Sequence, residues 1–204
     1  RRPMLSDPEI IKGCVRHDRK AQQMLYDRYS KLLLGVCMRY ATDRAEAEDM
    51  IQETFLKIFF SIKDYSGTGS FTGWIRKIAV NTAITQYHRS LRHRYHLEIE
   101  EFVSAETGTE SFEEDLFTSD ELFKVLNELP PGYRMVFNLY AVEGYKHKEI
   151  AEMLDIDINT SKSQYSRAKA TIREKLERLR KIKNNYPASD EEISMTEQKK
   201  SEQA

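Results

Sequence analysis

From Met24 to Phe59 the apolar side chains recur every three or four residues, a spacing that dictates helices before anything else is known. Met24, Leu25, Tyr29, Leu32, Leu33, Val36 and Cys37 fall on one stripe, and Ala47, Met50, Ile51, Thr54, Phe55, Ile58 and Phe59 on a second. Between the stripes Thr42 or Asp43 can cap the second helix, whose acid-rich first turns suit the positive end of the helix dipole. "KDYSGTGSFTG" then breaks the period with three glycines and reads as a loop. Helical spacing returns in "FTGWIRKIAVNTAITQYHRS" through Phe71, Trp74, Ile75, Ile78 and Ala79, with Trp74 on the core stripe. From Phe71 to His96 there are five Arg or Lys and no acid. Residues 5–96 therefore read as one helical domain.

The net charge of -1 is a sum of opposed blocks. Residues 97–121 hold ten acids and no base, whereas residues 160–183 hold nine bases against Glu174 and Glu177. Two basic surfaces separated by an acidic tether suit a polyanionic partner; solvated helix faces are the plainer reading of the same charges. Residues 97–118 carry no sustained period and read as a linker, with a short helix near Phe112–Leu116. Residues 184–204 have low hydrophobicity and read as a disordered tail.

Residues 119–183 form a second helical unit. "SDELFKVLNEL" is a capped helix that stops at Pro130–Pro131, and "YRMVFNLYAVE" ends at Gly144. "HKEIAEML", a short turn and "TSKSQYSRAKATI" then have the form of a helix-turn-helix. Ile150, Ala151 and Leu154 face inward from its first helix, and Ser161, Tyr165, Ala168, Ile172, Leu176 and Leu179 from its second. The outward face at the start of the second helix carries Lys162, Ser163, Ser166, Arg167 and Lys169. That end of a recognition helix enters the major groove, where Arg and Lys pair with guanine edges and Ser donates or accepts.

The two cysteines, Cys14 and Cys37, have no ligand spacing, so neither a zinc site nor a disulfide framework is indicated, which suits a reducing cytoplasm. No stretch reaches the ~20 apolar residues of a membrane span. No phosphate-binding glycine loop, metal cluster or nucleophile constellation is present, so neither catalysis nor a cofactor is expected. The chain reads as cytoplasmic.

These motifs resemble the extracytoplasmic-function subfamily of bacterial sigma-70 factors. "AEAEDMIQETFLKIF" is similar to their region 2.2 through Ala47, Glu48, Asp49, Met50, Ile51, Gln52 and Glu53. "WIRKIAVNTAITQYHR" resembles regions 2.3–2.4, and "LNELPPGYRMVFNLYAVEGYKHKEIAEMLDI" with the following helix resembles region 4. The resemblance implies an all-α chain, a region 2 bundle and a region 4 helix-turn-helix joined by the acidic linker. It implies a factor that binds core RNA polymerase and directs promoter-specific initiation. Asp49, Gln52 and Glu53, which share a helical face, would dock on the clamp helices of the largest polymerase subunit. Asn81 would help to form a pocket for an unstacked minus-ten base. Tyr65 and Phe71 are stacking or packing groups beside it, and Arg76, Lys77, Arg89, Arg92 and Arg94 would hold phosphates. Lys162, Ser163, Ser166, Arg167 and Lys169 would read the minus-thirty-five element.

The linker would run near the RNA exit path, and a membrane-anchored anti-sigma factor is a further implied partner. Asn159-Thr160-Ser161 stands where Gly-Thr-Val is usual in the family, and Asn tolerates the left-handed backbone that Gly would supply. A different class, a helix-turn-helix regulator with an unrelated helical sensor domain, accounts for the C-terminal unit alone.

Overall fold

A computed structural model of the chain describes residues 6–94 and 117–185; the expected linker helix at Phe112–Leu116 and most of the expected 184–204 tail lie outside the described residues, while residues 184 and 185 are not tail but the last residues of a helix. All regular structure among the described residues is helical. The first module comprises α1 (Asp7–Val15), α2 (Arg19–Tyr40), α3 (Arg44–Ser61) with a 3-10 turn at Ile62–Asp64, and α4 (Phe71–Arg94). The second comprises α5 (Ser119–Asn127), α6 (Pro131–Phe137) continuing as a π-helical turn at Asn138–Val142, α7 (His147–Leu154) and α8 (Ile158–Asn185).

Each boundary has a local cause. Of the two candidate caps for α3, Asp43 is the one used, its carboxylate accepting the Glu46 N–H at 2.8 Å. Thr118 caps α5 reciprocally, with Glu121 accepting the Thr118 N–H at 2.8 Å. Pro131 occupies the first turn of α6, where its missing N–H costs nothing. Gly144, at φ 79°, ends the π turn as the sequence predicts. α1 and α2 cross so closely at Gly13 that a Cβ there would sit 2.4 Å from that of Ala21.

Leu25, Leu33, Cys37, Ile58, Ile75 and Ala79 are fully buried at the centre of the first module. Trp74 packs beside them as expected from its stripe, stacked on Phe71 at 5.7 Å between ring centroids. Burial pushes the Cys37 thiol up to about 12 and the Cys14 thiol up to about 11, so both are inert hydrophobes here.

The second module packs directly on the first. Met135, Val136, Leu139, Ile150 and Leu154 belong to the same contiguous apolar cluster as the first module's centre. A separate small cluster of Val125, Leu129, Ala168, Ile172 and Leu176 joins α5 to α8.

Candidate nucleic-acid interface

The helix-turn-helix forms from α7 and α8. Ile150, Ala151 and Leu154 are buried on one side, and Ser161, Ala168, Ile172 and Leu176 on the other, as their spacing predicts. The turn differs from the sequence reading in one respect. The left-handed residue is Asp155 (φ 55°), not Asn159, which already lies within α8. Asp157 starts that helix by accepting the Asn159 N–H at 2.7 Å, so the chain reverses two residues before the cap rather than at it.

Tyr165 points inward, its ring 4.5 Å from Tyr140 and 5.8 Å from His147. His147 stacks on Tyr140 and shares a 2.9 Å hydrogen bond with Ser161 Oγ. Burial, helped by Lys162, holds its imidazole below the ordinary value. This aromatic brace fixes the angle between the two helices.

Lys162 and Ser163 are exposed at the start of α8, while Ser166, Arg167 and Lys169 are half-buried. Arg167 Nη1 lies 3.4 Å from the Tyr133 hydroxyl of α6, and Lys169 Nζ sits over the Tyr165 ring. Further along α8 the positive charge is partly answered by α5 and the residue after it, through Lys175–Glu128 at 2.5 Å and Lys183–Glu121 at 2.8 Å. Lys162 stands clear of the module at the N-terminal end of α8, and Arg180 and Lys181 are exposed towards its other end.

In the first module Asn81 and Lys77 are exposed on α4, and Asn81 borders a shallow groove with Ile78, Leu56 and Phe60. Tyr65 folds back from the glycine loop, its hydroxyl donating to the Gly69 carbonyl at 3.1 Å. Phe71 is buried edge-on between Tyr29 and Tyr65, so it has the packing role of the two the sequence left open. Arg92 is exposed; the side chain of Arg94 lies outside the described residues.

Asp49 and Gln52 are exposed on α3, but Glu53 is tied down. Its carboxylate meets Lys57 at 2.8 Å and Arg89 at 3.1 Å, and accepts from Gln86 at 3.2 Å. Partial burial raises its pKa, and these cations and the Gln86 amide outweigh that and hold it below the usual range. A residue expected at the polymerase and one expected at DNA are thus ion-paired to each other. Arg76 faces the second module, 3.3 Å from the Glu143 carboxylate, which also meets Arg39 at 3.4 Å.

Glu143, Arg134 and Asn138 went unremarked in the sequence. The available signal was the pair of polar residues four apart inside "YRMVFNLY", which places both on one face of an otherwise apolar helix. Arg134 is 2% exposed and Asn138 fully buried.

Known proteins match both modules in the same order. The family model "Sigma-70 region 2" matches residues 25–94, and "Sigma-70, region 4" matches residues 119–172. The "ECF RNA polymerase sigma-E factor" of Salmonella typhimurium is 30% identical over 86% of this chain and 96% of its own length. That of Haemophilus influenzae is 28% identical over 86% of this chain and 97% of its own. Among solved structures, the sigma factor RpoE of Bartonella quintana, crystallised with the anti-sigma factor NepR, aligns at 20% identity. That alignment covers 76% of this chain and 96% of the other, with a TM-score of 0.48. Two modules matched in order, within relatives spanned almost end to end, show that the chain belongs to the extracytoplasmic-function group of the sigma-70 family of RNA polymerase sigma factors.

Proposed function

We propose that the chain binds core RNA polymerase through the exposed Asp49–Gln52 face of α3, presents α4 to the minus-ten element and presents the start of α8 to the minus-thirty-five element. The observation that carries this reading is the pairing, in one chain, of a region 2 bundle with a region 4 helix-turn-helix across nearly the full length of its relatives. A regulator with an unrelated sensor domain does not account for the first match. The chain is a transcription initiation factor, and its work is binding rather than bond chemistry.

Each surface suits its target. Asp49 and Gln52 are unencumbered and polar, which suits rim electrostatics against a basic coiled coil. Asn81 offers both a donor and an acceptor to a base edge, with Lys77 and Arg92 exposed on the same helix for phosphates. Tyr65 lies in the glycine loop before α4, packed on Phe71 and Trp74. On α8, Lys162 and Ser163 are the open readers, with Ser166, Arg167 and Lys169 behind them. No helix among the described residues is long and apolar enough to cross a membrane, and we place the protein's work in the cytoplasm, where the polymerase is. A membrane-anchored anti-sigma factor is the regulator the family resemblance implies.

The deciding experiment measures binding to core polymerase for the wild type beside Asp49→Arg/Gln52→Ala. Submicromolar binding that the double change abolishes supports the reading. Strong duplex binding with none to polymerase overturns it in favour of a conventional regulator.

A further inference from the structure

Apolar side chains scattered singly over a surface are ordinary, but two large ones side by side on a helix that already has a packed stripe ask for a partner. Leu56 and Phe60 stand one turn apart on α3, 71% and 79% exposed, the highest values of any large hydrophobic among the described residues. The buried stripe of α3 runs through Met50, Ile51, Thr54, Phe55 and Ile58, so neither belongs to it. Together with Ile78 of α4 they line the shallow groove that Asn81 borders.

The charged groups around this groove favour an anionic ligand. Glu53 and Lys57 line it as an ion pair at 2.8 Å, and Arg89 also holds the Glu53 carboxylate. Lys63, exposed in the 3-10 turn after α3, carries its ammonium 5.7 Å from the centroid of the Phe60 ring. Lys77 is exposed one turn before Asn81, and α4 has no acid along its length. An accessible ring beside a base-edge reader, with ammonium groups around it, is the composition of a single-strand site: bases stack on the ring and cations follow the backbone. A docking helix would be anchored over two turns, at i, i+3, i+4 and i+7, whereas Leu56 and Phe60 span only one. The aromatic groups expected to stack bases are occupied elsewhere. Phe71 is 7% exposed, and Tyr65 is half-buried against Phe71 and Trp74.

We infer that Phe60 is the stacking platform of this face for single-stranded DNA. Its ring takes an unstacked base neighbouring the one whose edge Asn81 reads, Leu56 widens the apolar surface, and Lys63 holds a flanking phosphate. The assignment rests on the sigma reading, which brings a promoter single strand to α4. Every base has a π-face, so Phe60 supplies hold without choosing sequence and leaves the choice to Asn81.

The test is fluorescence anisotropy of the full chain with a short labelled single strand of mixed sequence at low salt. Phe60→Ala should weaken binding about tenfold. The thermal midpoint should stay in place, because the side chain is exposed. Phe60→Tyr should keep wild-type affinity and Phe60→Leu should behave as alanine does, which separates a π-face from apolarity. The slope of log affinity against log salt should be unchanged in Phe60→Ala and shallower by about 0.7 in Lys63→Gln. Binding to a duplex of the same sequence should not respond to Phe60→Ala. A single strand that wild type and Phe60→Ala bind equally, or that neither binds, overturns the platform, as does full affinity in Phe60→Leu. If Phe60→Ala instead weakens binding to core polymerase and leaves the single strand unaffected, the ridge docks protein and the platform falls. Absence of polymerase binding by the wild type, with the DNA results as stated, overturns the sigma reading and leaves Phe60 as a single-strand stacking residue.

Discussion

The two modules solve the same problem with unequal means. The first buries side chains from four helices around Leu25, Leu33, Ile58 and Ile75. The second has only the small cluster of Val125, Leu129, Ala168, Ile172 and Leu176 to itself, and lays Met135, Val136 and Leu139 against the first module. A helical unit of this size has little interior, so sharing one recovers apolar burial that it cannot supply alone. The comparison teaches that the DNA-reading module is the less self-sufficient of the two.

Cavity substitutions test that contrast most strongly. Leu33→Ala, at a fully buried site, should cost ~2–5 kcal/mol in urea unfolding. Leu139→Ala should cost a comparable amount and, although it lies in the second module, shift the fluorescence transition of Trp74, the lone tryptophan of the chain. Leu176→Ala, in the satellite cluster, should cost about 2 kcal/mol and leave the Trp74 transition nearly in place. If Leu139→Ala also leaves Trp74 unmoved, the shared cluster does not couple the modules.

Smaller effects sharpen the picture. Gly13→Ala forces α1 away from Ala21 and should cost about 1–3 kcal/mol, read from the thermal midpoint. Asp43→Ala in the first module and Thr118→Ala in the second each remove a helix cap, at about 1 kcal/mol in urea titration.

The smallest effect is a pH dependence. The Tyr29 hydroxyl donates to Asp7 at 2.6 Å and, with Arg28, holds its carboxyl below the ordinary value, which is near 3.8. A lowered folded pKa stabilises the protein above the unfolded value and loses that contribution as pH falls through the folded one. Asp7→Asn should therefore lower stability at pH 7 and flatten the acid limb, so that the difference from wild type shrinks as pH falls below about 4. A superimposable acid limb would remove the Asp7–Tyr29 bond from the account.

Helix positions and core stripes were legible because they depend on short-range periodicity. Met50, Ile51, Phe55 and Ile58 need only their own spacing to be assigned inward. The seam of the helix-turn-helix was equally plain in Ile150, Leu154, Ala168 and Ile172. The reversal at Asp155 was not, because several residues of that short turn tolerate a left-handed backbone and the cap at Asp157 selects among them. The candidate site was legible in kind but not in pairing. Arg76, Arg89 and Glu53 read as free surface charges, yet each meets a partner 33 or more residues away in sequence, as Arg76 does at Glu143 and Glu53 does at Arg89 and Gln86.

The sequence by itself determined an all-α chain, the order of its two modules, the helix-turn-helix and the family. Each of these is encoded in local spacing and residue type. Tertiary structure alone decided that α2 ends against Asn127, Arg134 and Asn138, that Glu143 holds Arg76, and that Phe71 is core. Hydrogen bonds and ion pairs between distant residues depend on how helices are packed, and the periodicity of one helix carries no record of the side chains another brings to its end.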